Sequence, residues 1–186
     1  MLYRKLAIRT VLAAVAGLGI ATTGWAAQTT TSTVTVNASV SQVCTVSAAT
    51  VAFGAYDPVS ANAATDLPAP AAPLTVTCTK GSTSVDIDLG QGGHYSTGRR
   101  MSDGTDFLNY QLYKASTEAS SATCATPPSS GAGIWGSTSG GSTLTPSSPT
   151  WSAATGLVFN ICGVVPQAQD VGVGTYTDSV VATVTF

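Results

Sequence analysis

The stretch Thr29–Val46, TTTSTVTVNASVSQVCTV, decides the fold. Within it Val34, Val36, Ala38 and Val40 alternate with Thr35, Asn37 and Ser39, the period-2 pattern of a strand with one apolar face. It is rich in Thr and Val and free of Gly and Pro, as a half-buried strand requires. The far end of the chain repeats the pattern. In Thr175–Phe186, the residues Tyr176, Val180, Ala182, Val184 and Phe186 share one face, with Thr177, Ser179, Thr183 and Thr185 on the other. Two strands thus bracket the chain, and the first has few partners nearby in sequence.

Working inward, Val51–Tyr56 is a short apolar run stopped by the turn signal Asp57-Pro58, and Ser60–Pro73, with three prolines, reads as a loop. Alternation returns in Leu74–Thr79 and in Ser84–Leu89, where Val85, Ile87 and Leu89 point one way and Asp86 and Asp88 the other. Gly90–Gly93 and Ser102–Thr105 read as turns, and Phe107–Lys114 (FLNYQLYK) as one central strand. Ala115–Thr150 is dominated by Ser, Thr, Gly and Pro and reads as a meander of short strands. Trp151–Val165 alternates through Leu157, Phe159 and Ile161, and Pro166–Asp170 is a loop before the closing strand. No capped 3.6-residue period occurs after residue 26. Short strands separated by turns, without helices, predict a single all-β domain, an antiparallel β-sandwich.

Residues 1–26 read as a secretory signal peptide: Arg4, Lys5 and Arg9 precede an apolar Val11–Ala21, and Gly24-Trp25-Ala26 places small residues around a cleavage site. The apolar run is too short to span a bilayer. Beyond it remain Lys80, Arg99, Arg100 and Lys114 against nine acids, a net charge near −5. No basic face is available for nucleic acid or an anionic membrane. Cys44, Cys78, Cys124 and Cys162 in an exported chain read as two disulfides, with three pairings open. Without a CxxC or a Cys/His cluster, no metal site is expected.

The candidates for chemistry are few. Asp86 and Asp88, about 7 Å apart on one strand face, form a carboxylate pair of the sort that glycoside hydrolysis uses, but they read as a solvated outer face. His94 is the sole histidine and has no fixed acid near it in sequence; no GxSxG elbow accompanies it. Arg99 and Arg100, adjacent on a strand, point to opposite faces. Trp135 and Trp151 read as core rather than as a sugar-stacking platform. No catalytic, cofactor-binding or metal-binding residue is assigned.

With its strands laid out, the chain resembles the spore coat protein U domain family and, within it, the subunits of archaic chaperone–usher pili. The resemblance is carried by the alternating N-terminal segment ending in Cys44-Thr45-Val46, by Phe53–Pro58 (FGAYDP), and by Leu74–Thr79 (LTVTCT). It continues through Arg99-Arg100-Met101 with Leu108–Tyr113 (LNYQLY), Gly163–Gln167 (GVVPQ) and Gly174–Asp178 (GTYTD). What it implies is a pilin-type incomplete immunoglobulin-like sandwich, completed by a donor strand from a neighbouring subunit. Residues 27–40 would be the donor segment, inserting Val34, Val36, Ala38 and Val40, and residues 41–186 the sandwich. Val180, Ala182, Val184 and Phe186 would line the acceptor groove.

The resemblance also implies a Cys44–Cys78 disulfide, which leaves Cys124 and Cys162 to each other. The expected partners are further copies or related pilin subunits, a periplasmic chaperone and an outer-membrane usher, with no direct membrane insertion. The function implied is that of a structural subunit of a cell-surface pilus, exported through the periplasm and supporting surface adhesion and biofilm formation. The alternatives are a secreted spore-coat or surface protein of the same fold, or a carbohydrate-binding module, which requires exposed tryptophans.

Overall fold

The computed structural model of the chain describes residue 24 and residues 27–186. The signal peptide expected over residues 1–26 lies, but for Gly24, outside the described residues. The chain divides after Ala38 into two units. In the first, residues 27–38 have no regular secondary structure and all are exposed, Val34 by 81% and Val36 by 87%. The strand expected over Thr29–Val46 is therefore confined to its last three residues. Alternation supplies an apolar face, but a strand needs a neighbour to bond with, and residues 27–40 make no backbone hydrogen bond to any described residue.

In the second unit, nine strands follow: β1 (Cys44–Val46), β2 (Leu67–Pro68), β3 (Ala72–Cys78), β4 (Asp86–Leu89), β5 (Arg100–Ser102), β6 (Phe107–Asn109), β7 (Gln111–Lys114), β8 (Leu157–Val165) and β9 (Ala182–Thr185). All their pairings are antiparallel. The nine-residue β8 is the spine of the first sheet. It takes β3 and β2 along one edge and β7 along the other, and β1 adds to the free edge of β3. β4 pairs with β9, and β5 with β6; a bridge from Ser102 to Thr177 ties β5 to the stretch leading into β9.

The inward residues of both layers meet in one core. Ala72, Leu74 and Val76 of β3, Leu112 of β7, and Phe159 and Ile161 of β8 pack with Ile87 and Leu89 of β4, and with Leu108, Tyr110, Trp135, Leu144 and Trp151. Burial of this kind contributes roughly 1.5–3 kcal/mol per large side chain and holds the layers together. Two disulfides staple the first sheet. Cys44–Cys78 joins β1 to β3 (Cα–Cα 4.1 Å), and Cys124–Cys162 ties the long insert to β8 (5.6 Å).

Several sequence expectations change. The 107–114 strand breaks at Tyr110, whose amide donates to Arg99 O. β6 and β7 on either side of it belong to different sheets. Ser60–Pro73 is not all loop, because β2 lies within it and β3 begins at Ala72. Ala115–Thr150 forms no meander of strands: it carries one 3-10 turn, Pro128–Ser130, and single bridges that pin Ile134 to Tyr113 and Leu144 to Ile87. Among the described residues no helix is long and apolar enough to cross a membrane.

Candidate strand-acceptor groove

A groove runs between two lips that lack a common partner strand. The first lip follows β1. Ser47 makes its last ladder contacts, its amide donating to Thr75 O (2.9 Å) and its hydroxyl accepting from Thr75 N (3.0 Å). From Ala48 to Tyr56 no backbone hydrogen bond is made among the described residues. Side chains hold this lip instead. Phe53 and Val51 sit over Gly163 of β8, where an added Cβ would come within 2.8 Å of the Phe53 ring. The Tyr56 hydroxyl donates to Pro166 O (3.0 Å) and accepts from Gln169 N (2.9 Å).

The second lip is Val171–Ala182. Its Thr177 exchanges both bonds with Ser102, and Val181 O accepts from Gly90 N (2.8 Å). Tyr176, Asp178 and Val180 make no backbone–backbone bond among the described residues. Alternation turns those three amides away from the β4–β5 side, toward the groove. Between the lips lie two cavities of about 590 Å³ and about 540 Å³. Leu74, Leu89, Leu112, Ile161, Val180 and Ala182 are among the residues lining the first; Leu67, Leu108, Val165 and Val171 are among those lining the second. Open apolar concavities between unpaired backbone edges are what an added strand fills.

Of the residues expected at this groove, Val180 and Ala182 border the first cavity. Val184 is half-buried against the core, and Phe186 stands 52% exposed at the chain's end. Val34, Val36, Ala38 and Val40 are all exposed, Val40 by 84%. Sequence reasoning passed over Val51, Phe53 and Met101, which line both cavities. The apolar run Val51–Tyr56 carried the signal, but nothing in it says that it lacks a ladder partner.

The groove also holds a carboxylate. Asp178 falls on the same strand face as Tyr176 and Val180, and its side chain is only 2% exposed. It accepts from the Tyr110 hydroxyl (2.7 Å) and from the amides of Gly93 (2.8 Å) and His94 (3.3 Å), and His94 Nδ1 stands 3.3 Å away. So many donors satisfy a charge that burial alone would disfavour. Burial first, then the bond to Asp178, pushes the Tyr110 phenol far above its ordinary value and keeps it a donor. His94 thus has a fixed acid after all, supplied from across the fold. No hydroxyl or thiol hydrogen-bonds to His94 among the described residues.

The remaining candidates are structural. Arg99 and Arg100 do point opposite ways. Arg99, 1% exposed, donates to the carbonyls of Leu89 (2.7 Å), Gly90 (2.7 Å) and Trp135 (2.8 Å) and to Gln111 Oε1 (2.7 Å). Burial lowers its pKa from the usual guanidinium value. Arg100 lies outside, its guanidinium 3.9 Å from the Phe107 ring centre. Asp86 and Asp88 lie half-exposed on the outer face of β4, where Asp88 accepts from Ser137 N (2.9 Å) and its hydroxyl, and Asp86 from the Thr145 hydroxyl. Trp135 and Trp151 are buried and offer no stacking platform. Among the described residues no cluster of three or more His, Cys, Asp or Glu could hold a metal ion.

Fold and groove define an all-β protein of antiparallel sheets with an open, largely apolar groove between two edges. The Spore Coat Protein U domain family matches residues 30–183, and the chain belongs to it. Protein U of Myxococcus xanthus is 34% identical over 197 aligned positions, which cover 97% of this chain and 99% of that protein. Among solved structures, the chain aligns with one from a chaperone–tip adhesion subunit pre-assembly complex of the archaic chaperone–usher Csu pili of Acinetobacter baumannii. That alignment has a TM-score of 0.48 and 20% identity, over 78% of this chain and 40% of the solved one.

Proposed function

We propose that this protein is an exported structural subunit of an extracellular fibre, polymerised by donor-strand complementation. The observation that carries the reading is the groove between Ala48–Tyr56 and Val171–Ala182, lined mostly by apolar side chains; among the described residues Ala48–Tyr56, Tyr176, Asp178 and Val180 make no backbone–backbone hydrogen bond. Residues 27–40 of a neighbouring copy are the matching occupant, with an apolar row, Val34, Val36, Ala38 and Val40, and free backbone groups. Inserting that row contributes on the order of 5 kcal/mol of apolar burial, with ladder hydrogen bonds added. An open groove is an aggregation hazard, so a periplasmic chaperone covers it before assembly and an outer-membrane usher catalyses the exchange. Surface adhesion and biofilm formation are the roles such a fibre serves.

The test uses the full chain. SDS-resistant oligomers that dissociate on heating, shortened by excess synthetic peptide spanning Thr29–Val40, support the reading. The same peptide with Val36→Asp has no effect on the oligomers. A monomer indifferent to either peptide means that the sandwich needs no donor, and the reading falls.

A second reading, a secreted coat protein that assembles without an usher, is favoured by the near full-length likeness to Protein U. It predicts assembly that survives deletion of the chaperone and usher.

A further inference from the structure

We propose that Ala38 fixes the register of the inserted strand, because it is the residue that crosses a waist dividing the groove in two. The inference rests on the donor-strand reading above. Val51, Phe53, Met101 and Tyr176 line both cavities and so stand between them. Val51 and Phe53 come from the first lip, Met101 from β5, and Tyr176 from the second lip. The waist has little room to give. The Phe53 ring is seated on the Gly163 backbone and lies edge-on to Tyr110, with ring centres 5.9 Å apart. The Tyr176 hydroxyl donates to Gly172 O at 2.9 Å, which holds its ring in place.

A strand lying in the groove presents every second side chain inward, at intervals of about 7 Å. The inward row reads Val34, Val36, Ala38, Val40, with Ser32 before it and Gln42 after it. Alanine is the small member of the row, and a waist between two cavities is where a small side chain fits. With Ala38 there, Val40 enters one cavity and Val36 and Val34 the other. A slip of two residues in either direction puts a valine on the waist and the alanine over a cavity. That overpacks one site, underfills the other, and draws Ser32 or Gln42 into the apolar row. The penalties coincide, so one register is selected.

The test compares full-chain variants by the yield of SDS-resistant oligomer. Ala38→Leu is expected to lower the yield about tenfold or more, because the waist resists overpacking. Val36→Leu and Val40→Leu, facing the cavities, are expected to change it by less than about threefold. Adding Met101→Ala to Ala38→Leu opens the waist and restores the yield to within about threefold of wild type. A wild-type chain that forms no resistant oligomer defeats the donor-strand reading, and this inference with it. Wild-type oligomers combined with an unimpaired Ala38→Leu overturn the register alone. The register is likewise overturned if Val36→Leu is hit as hard, or if Met101→Ala gives no rescue.

Because Met101→Ala can itself unsettle the fold, oxidative cross-linking is read alongside. The Ala38→Cys, Met101→Cys chain should form a ladder of covalent oligomers and the Val34→Cys, Met101→Cys chain none; equal or reversed yields overturn the assignment.

Discussion

Strands β3 and β9 carry nearly the same text, Leu-Thr-Val-Thr-Cys over 74–78 and Ala-Thr-Val-Thr over 182–185, yet they live differently. In β3 every inward residue is buried, Val76 completely; in β9 Ala182 and Val184 are only half-buried. The residues are alike and the neighbours are not. β3 has β1 and β8 on its two edges, whereas among the described residues β9 has β4 on one edge only. Residues 33–40, with the same alternation and no paired edge among the described residues, expose Val36 by 87%. Period-2 alternation names the face of a strand, and the number of occupied edges decides how far that face is buried.

A valine-to-aspartate series separates these environments most sharply. Val76→Asp places an unpaired charge in a dry core and should cost more than about 4 kcal/mol, enough to leave the chain unfolded by circular dichroism. Val184→Asp, half-buried, should give a folded protein with a lowered denaturant midpoint. Val36→Asp should leave the monomer's stability within about 0.5 kcal/mol of wild type while removing its oligomers. Equal losses at positions 76 and 184 would break the comparison.

Next in size are the staples. Replacing Cys124 and Cys162, or Cys44 and Cys78, with alanine frees loops of 38 and 34 residues. Each pair should cost about 3–4 kcal/mol in urea unfolding. The two buried tryptophans should differ by less. Trp135 Nε1 donates to Ile87 O at 2.9 Å, while Trp151 Nε1 has no hydrogen-bond partner among the described residues. Trp135→Phe should therefore destabilise by about 1 kcal/mol more than Trp151→Phe.

The smallest effect is electrostatic and lies on exposed turns. The amides of Ser60 and Val59 hold Asp57 below its usual pKa, and those of Asp106 and Thr105 do the same for Asp103. Their contribution is complete above the ordinary carboxylate value, about pH 4, and is lost as pH falls through the lower folded values. Carboxyl carbon shifts followed by NMR should show both residues titrating below that value.

How much was legible follows the same rule of edges. The alternating rows, the all-β class, the core assignment of Trp135 and Trp151 and the opposed directions of Arg99 and Arg100 are written locally, in periods of two. Features that depend on distant partners are not. Asp178 lies 84 residues from His94, so nothing near the histidine announces its acid. Arg99 reads as one half of a basic pair until the carbonyls of Leu89, Gly90 and Trp135 converge on it. FLNYQLYK looks continuous because nothing local says that Tyr110 turns its amide to Arg99 and its hydroxyl to Asp178. Val51–Tyr56 has a strand's composition, and only the whole fold shows that no ladder reaches it.

The Cys44–Cys78 bond has a mechanical meaning in a fibre of the kind proposed. Tension along such a fibre enters each subunit through its N-terminal segment and arrives at Cys44, four residues beyond Val40. Three-residue β1, at the edge of its sheet, would be peeled off bond by bond by a steady pull. The disulfide instead delivers that load to β3, which is flanked on both edges and backed by β8. In such a fibre the load would thus pass from a three-residue edge strand to one that is paired on both sides.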